Sequence, residues 1–146
     1  MLTVIVAAGD DGARLPALLA ALTSAAVEGL VREVVIAGGG PADLLGVLRD
    51  ETGADLADNL VRAIAVARSD RLLVLDDRLR LRSDWLERLA QHLRAGGGDA
   101  LIVGEGRALQ GRSYGVLIGR AAASALAHPD LKRLRGKLAR GAARLA

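Results

Sequence analysis

The chain has no cysteine and no phenylalanine, and its aromatic side chains are one tryptophan, Trp85, and one tyrosine, Tyr114. Without cysteine there is no disulfide framework, no thiolate nucleophile and no cysteine-based zinc site. A lack of cysteine fits a reducing compartment, so a cytoplasmic location is expected. With two aromatics there is no platform on which successive bases stack, which removes the usual tool for binding single-stranded nucleic acid. Histidine is scarce too: His92 and His128 lie far apart without metal-ligand spacing, and neither has an identifiable nucleophile beside it. No apolar run reaches the roughly 18 residues of a membrane span. The opening Met1-Leu2-Thr3-Val4-Ile5-Val6 lacks the basic start of a signal peptide and reads as a buried strand.

What is present is a core made of Leu, Val, Ile and Ala. Apolar residues make up 51% of the 146 positions, which suits one packed domain and excludes a disordered chain. The net charge of +3 is unevenly spread. Six of the 20 basic residues (Lys132, Arg133, Arg135, Lys137, Arg140 and Arg144) fall in 131–146 without any acid, leaving 14 basic against 17 acidic groups in 1–130. The basicity therefore belongs to the tail. No recognition motif accompanies it, so DNA binding is not expected.

Residues 2–8, 33–37 and 71–76 are predominantly apolar runs of the kind found in parallel strands buried on both faces. The segments 53–56, 99–103 and 114–118 read as further strands. Helices are expected from Leu15, Leu18, Leu19 and Leu22, from Leu44, Leu45 and Leu48, and over 57–68. Another should follow Ser83 as N-cap, with Trp85, Leu86, Leu89 and Leu93 on its apolar face and Trp85 buried against the sheet. Helices near 120–127 and 130–145 complete the pattern. In the last, Leu131, Leu134, Leu138, Ala142 and Leu145 share one stripe inside a basic helix. Such a helix can dock on the domain, pair with a second copy in a homo-oligomer, or lie on an anionic membrane at its inner face.

Alternating strands and helices predict a single-domain, three-layer α/β/α fold with a mostly parallel sheet over 1–130, followed by a basic amphipathic helix over 131–146. Ligands of such folds sit beyond the carboxyl ends of the strands, here residues 7–11, 37–43 and 76–78.

The order of these signals resembles the family-2 glycosyltransferases, and within them a short bacterial subgroup with degenerate motifs. Thr3–Ala7, a turn, and Arg14-Leu15-Pro16-Ala17-Leu18-Leu19 resemble that family's opening strand and first helix. Residues 25–37 resemble the approach to its second strand. Ala67-Arg68-Ser69-Asp70 followed by Leu72–Leu75 and Asp76-Asp77 resembles its lead into the Asp-x-Asp strand, and Ser83-Asp84-Trp85-Leu86 the opening of the next helix. The resemblance covers about residues 2–130. It implies the nucleotide-diphospho-sugar transferase fold and transfer of a sugar from a nucleotide-diphosphate donor to an acceptor hydroxyl.

The departures fall on the chemistry. Asp10 and Asp11 stand where the family binds base and ribose, with Gly12 at an expected Glu; they serve equally as helix N-caps. Gly38-Gly39-Gly40-Pro41-Ala42-Asp43 replaces an Asp-Gly-Gly-Ser-Thr-Asp type motif. The glycines either offer N–H groups to a phosphate or form a plain turn, and Asp43 either contacts the nucleotide or favours its helix start. The Asp-x-Asp motif aligns with Asp76-Asp77-Arg78. Asp76 and Asp77 either hold ribose hydroxyls or Mg²⁺ or Mn²⁺, or are solvated acids paired with Arg78 or Arg80. Arg78 occupies the metal-binding position, where a guanidinium can pair with a diphosphate and make binding metal-independent, or is a surface arginine. The resemblance also implies that Tyr114 lines the acceptor side, if it does not simply fill the core. The family's late general base has no counterpart, and Glu105 is the weak substitute.

Two readings follow: a nucleotide-sugar-dependent glycosyltransferase with eroded motifs, or a non-catalytic binding or assembly module that keeps the fold. A nucleotidyltransferase ranks behind both, because residues 8–12 offer acids where such enzymes need a basic residue.

Overall fold

A computed structural model of the chain describes residues 1–9, 15–38, 42–104, 114–138 and 143–145. Strand β1 (Leu2–Ala8) is the buried run expected through Val6, with Val4, Ile5 and Val6 each 0% exposed. Helix α1 (Leu15–Val27) buries Leu15, Leu18, Leu19, Leu22 and Ala25 along one stripe. Gly29 stops it at φ 82°, as Gly29 N donates to Ala26 O and Leu30 N to Ala25 O. This paired closure needs a left-handed residue, which glycine adopts without a Cβ penalty. The chain then enters β2 (Val31–Gly38).

Helix α2 (Ala42–Thr52), strand β3 (Asp55–Ala57) and helix α3 (Leu60–Val66) follow. The structure shortens the helix expected over 57–68: the strand expected over 53–56 lies at Asp55–Ala57 and pairs with β2, and Asn59 caps the helix by accepting from Arg62 N at 2.9 Å. Strand β4 (Arg71–Asp76) leads to helix α4 (Trp85–Arg94). Its N-cap is Asp84, not Ser83, and the Asp84 carboxylate instead takes a 2.6 Å hydrogen bond from Arg88 one turn on. Trp85 is half-buried rather than enclosed, because it is the first residue of α4 and stands at the rim of the core.

Strands β5 (Ala100–Val103) and β6 (Tyr114–Gly119), helices α5 (Arg120–Ser124) and α6 (Leu131–Gly136), and strand β7 (Ala143–Leu145) complete the chain. The continuous helix expected over 131–146 is thus corrected. Leu134 is buried on one side of the sheet, whereas Leu145 packs into the cluster on the other side. One straight helix cannot reach both. The alternation Ala143-Arg144-Leu145 has the period of a strand, and it pairs with β5.

The seven strands run in the order β3-β2-β1-β4-β6-β5-β7. The three apolar runs β2, β1 and β4 are neighbours in the middle, as their burial predicts. Neighbouring strands are parallel except where β6 lies antiparallel between β4 and β5. Helices α1, α2 and α4 supply the core on one face, and α3, α5 and α6 supply it on the other. This is the expected three-layer α/β/α arrangement with a mostly parallel sheet. The amino-terminal edge is tied by the Thr3 hydroxyl, which donates to Glu33 at 2.7 Å, and by Arg68 N, which donates to the same carboxylate at 2.6 Å. The opposite edge carries the candidate site.

Candidate functional site

Parallel pairing of β1 with β4 sets Ala7 against Asp76, so both strands end side by side. The pairing continues one step, with Asp77 N donating to Ala7 O at 3.2 Å. Asp77 is 6% exposed, and its Oδ2 accepts a 2.7 Å hydrogen bond from Gly9 N. A Cβ at residue 9 would stand 3.2 Å from that oxygen, so a larger residue would have to push the carboxylate back by a fraction of an ångström. Asp77 therefore joins the loop after β1 to the end of β4.

Asp76 is engaged by its neighbour Arg78. One carboxylate oxygen accepts from Arg78 N at 2.9 Å and from Nε at 3.3 Å, while the other accepts from a terminal guanidinium nitrogen at 3.0 Å. The Arg78 side chain remains 74% exposed and that of Asp76 only 18%. This ion pair points a guanidinium outward from the carboxyl end of the central strand.

The two adjacent carboxyls are driven apart in acidity. Burial pushes Asp76 upward, but the side-chain and backbone hydrogen bonds from Arg78 outweigh it and hold the group below the ordinary range. Burial raises Asp77, the Gly9 hydrogen bond opposes this, and the neighbouring Asp76 adds to the rise, leaving Asp77 above the ordinary range.

Other expected residues fall around this pair. Gly38, at the end of β2, pairs with Ala8 and has φ 97°; a Cβ there would meet Ala8 O at 3.4 Å. It adjoins the Gly9–Asp77 clamp. Asp43 is exposed in the first turn of α2. Asp10, Asp11, Gly39 and Glu105 lie outside the described residues. His92 Nε2 is 2.7 Å from Gly98 O, and the backbone carbonyl of His128 accepts from Arg133, so both serve local turns away from the edge. Gly9 was legible only as a turn residue, because a backbone N–H partner leaves no mark in the side-chain pattern.

A divalent metal at this edge would compete with the partners that Asp76 and Asp77 already have. Asp76 would have to surrender Arg78 and Asp77 would have to surrender Gly9. No group of three His, Cys, Asp or Glu side chains converges among the described residues.

No family model matches the chain, and no curated protein does. Solved structures do. Glucosyl-3-phosphoglycerate synthase from Mycobacterium tuberculosis, in complex with Mn²⁺, uridine diphosphate and glucosyl-3-phosphoglycerate, superposes with a TM-score of 0.62 at 16% identity, over 86% of this chain and 59% of that one. A 2-C-methyl-D-erythritol 4-phosphate cytidylyltransferase from Thermus thermophilus gives 0.59 at 18% identity, over 97% and 86%. A nucleotidyl transferase from Methanothermobacter gives 0.55 at 18%, over 92% and 80%.

The chain has the nucleotide-diphospho-sugar transferase fold. Glycosyltransferases and nucleotidyltransferases share it, so the fold alone does not choose between them. The chain spans about 59% of the length of the synthase. In this nucleotide-diphospho-sugar transferase fold, no helix among the described residues is long and apolar enough to cross a membrane.

Proposed function

We propose that the domain binds a nucleotide-diphosphate sugar at the carboxyl ends of β1 and β4, with Arg78 supplying the positive charge against the diphosphate. The observation that carries this reading is the Asp76–Arg78 pair. It holds an exposed guanidinium at the end of a central strand, in a fold whose synthase neighbour holds uridine diphosphate. A guanidinium is always charged and pairs with phosphate oxygens through two parallel hydrogen bonds. Asp76 orients it from beneath. Gly38 and Gly39 border the phosphates, and Asp10, Asp11 and Asp43 border the base and ribose. The family-2 resemblance supports sugar transfer to an acceptor hydroxyl as the activity. Binding through Arg78 replaces a role that Mg²⁺ or Mn²⁺ has when the third position of the motif is an acid.

A second reading is favoured by one specific observation: among the described residues at this edge, Asp76 and Asp77 are both already engaged, so neither is free to act as a general base. The domain would then bind the nucleotide sugar without transferring it.

Calorimetric titration with UDP-glucose and GDP-mannose, with and without Mn²⁺, tests the first reading. Metal-independent binding that weakens with salt is expected, because the attraction is between charges. Binding of a nucleoside triphosphate in preference to either sugar would move the assignment to nucleotidyl transfer. Absence of binding at millimolar ligand would overturn it.

A further inference from the structure

We propose that Tyr114 and Arg135 form an oxyanion subsite beside Asp76 that takes a phosphate or carboxylate group of the second substrate. Strand β6 runs antiparallel to β4, so its first residue lies at the carboxyl edge where β1 and β4 end. Gly115 pairs with Leu75, and one further step sets Tyr114 across from Asp76. Alternation fixes the side. Val74 and Val116 both project into the core beneath α3, α5 and α6, and Asp76 and Tyr114 share their parity. Cross-strand neighbours on one face stand about 5 Å apart.

Arg135 reaches this position from α6. Its guanidinium carbon lies 5.0 Å from the centroid of the Tyr114 ring, a cation–π stack that holds the plane while leaving N–H groups at its edge to donate. The helix that carries it is held by its N-cap and by one buried side chain. Leu134 is 0% exposed, and Asp130 accepts from Arg133 N at 2.7 Å. Arg133 and Arg78 each pair with a carboxylate, at 3.8 and 3.0 Å, whereas Arg135 has no carboxylate partner among the described residues. Lys132, Arg133 and Lys137 are exposed around it, and residues 131–146 contain no acid. Asp76, one strand away, is paired with Arg78, which offsets its repulsion of an arriving anion.

As an acceptor subsite the arrangement rests on the nucleotide-sugar reading. An anionic group clamped on Arg135 is one strand away from Asp76, so the remainder of the acceptor extends toward the edge where the donor is held. Specificity would then favour small polar acceptors bearing an oxyanion over neutral ones.

The chain has a single tyrosine, so its ring resonances report this site alone. The intact protein is titrated by NMR with glycerol phosphate, with glyceric acid, and with glycerol as the neutral control. Either anion should shift the Tyr114 ring signals and glycerol should not. Arg135→Ala should weaken the responding anion at least about tenfold, and Tyr114→Phe should leave its affinity within about threefold. Comparison of the two anions tells whether phosphate or carboxylate is taken. No shift with either anion, equal shifts with glycerol, or unchanged affinity in Arg135→Ala would overturn the subsite. UDP-glucose is titrated separately. Anion binding without nucleotide binding refutes the donor site and leaves the subsite standing, and the converse refutes the subsite alone.

Discussion

Gly9 donates its backbone N–H to Oδ2 of Asp77 at 2.7 Å, joining the loop after β1 to the end of β4. The position that sequence assigns to a ligand-binding acid thus shapes the edge from within. Asp77→Ala leaves the half-buried N–H unpaired and should cost about 1–3 kcal/mol in urea unfolding. Asp77→Asn retains an acceptor oxygen and should cost less than about half as much. Equal losses in the two variants would show that the hydrogen bond is not what matters.

The opposite shifts of Asp76 and Asp77 give opposite pH signatures. Asp76 is lowered in the folded chain, so its stabilisation is present above the unfolded carboxyl range and is lost as pH falls through the folded value. Asp77 is raised, so the folded chain binds its proton more tightly. Stability from that group is full below the unfolded range and declines as pH rises through the folded value. Relative to wild type, Asp77→Asn should therefore gain stability from about pH 4 upward. Asp76→Asn should lose stability relative to wild type below that interval, as pH rises from the folded value of Asp76 to about pH 4, and stay level above it. Unfolding of the three proteins between acid and neutral pH checks both slopes, and parallel curves would refute the assignment.

Arg78 and a divalent ion compete for one carboxylate, because Arg78 already occupies both oxygens of Asp76. Without metal, Arg78→Ala should weaken UDP-glucose binding by about 1.5–3 kcal/mol. Adding Mn²⁺ should leave wild type unchanged but partly restore Arg78→Ala, and restore Arg78→Asp further by returning an acid to the motif. Calorimetry with EDTA-treated protein decides. Strict metal dependence of the wild type would reverse the argument.

The central strands were legible because Leu2–Ala8 and Leu72–Leu75 are apolar on both faces, a pattern that only burial in a parallel sheet explains. The layer arrangement followed from the spacing of helices between them. The tail was misread because Leu131, Leu134, Leu138 and Leu145 have helical spacing. That spacing is silent about which face of the sheet each residue reaches, and Leu134 and Leu145 reach opposite faces. The direction of β6 was equally hidden, since an apolar run reads the same both ways. At the candidate site, the sequence placed Asp76 and Asp77 at the carboxyl ends of the strands but did not show how differently the two are bonded. That difference depends on a backbone donor from Gly9, 68 residues away.

Trp85 packs against the core from the first position of α4 while remaining half-exposed. Complete burial would make Trp85→Ala cost about 3–5 kcal/mol; partial burial should bring the cost to about 2 kcal/mol. As the single tryptophan, its emission should lie between that of a buried and a free indole, and should shift red on unfolding. A fully blue-shifted native spectrum would contradict the rim position.

The last strand offers a sharper test of the tail. β7 pairs with β5 and covers what would otherwise be the open edge of the sheet. Ala143 and Leu145 pack on the side of α1, α2 and α4, while Arg144 between them is exposed. Leu145→Asp should therefore place a charge against apolar surface and cost about 1–3 kcal/mol, whereas Arg144→Ala should be neutral within about 0.5 kcal/mol. Deleting residues 143–146 should strip β5 of a pairing partner. Its amides, from Ala100 to Val103, should then exchange faster with solvent, while those of β1 and β4 stay protected. An unpaired edge is also a template for another chain, so the deletion should promote self-association at high concentration. A basic helix lying on the surface predicts the reverse: equal tolerance at 144 and 145, and no change in β5 exchange when the end is removed. Hydrogen exchange on the intact and shortened chains separates the two.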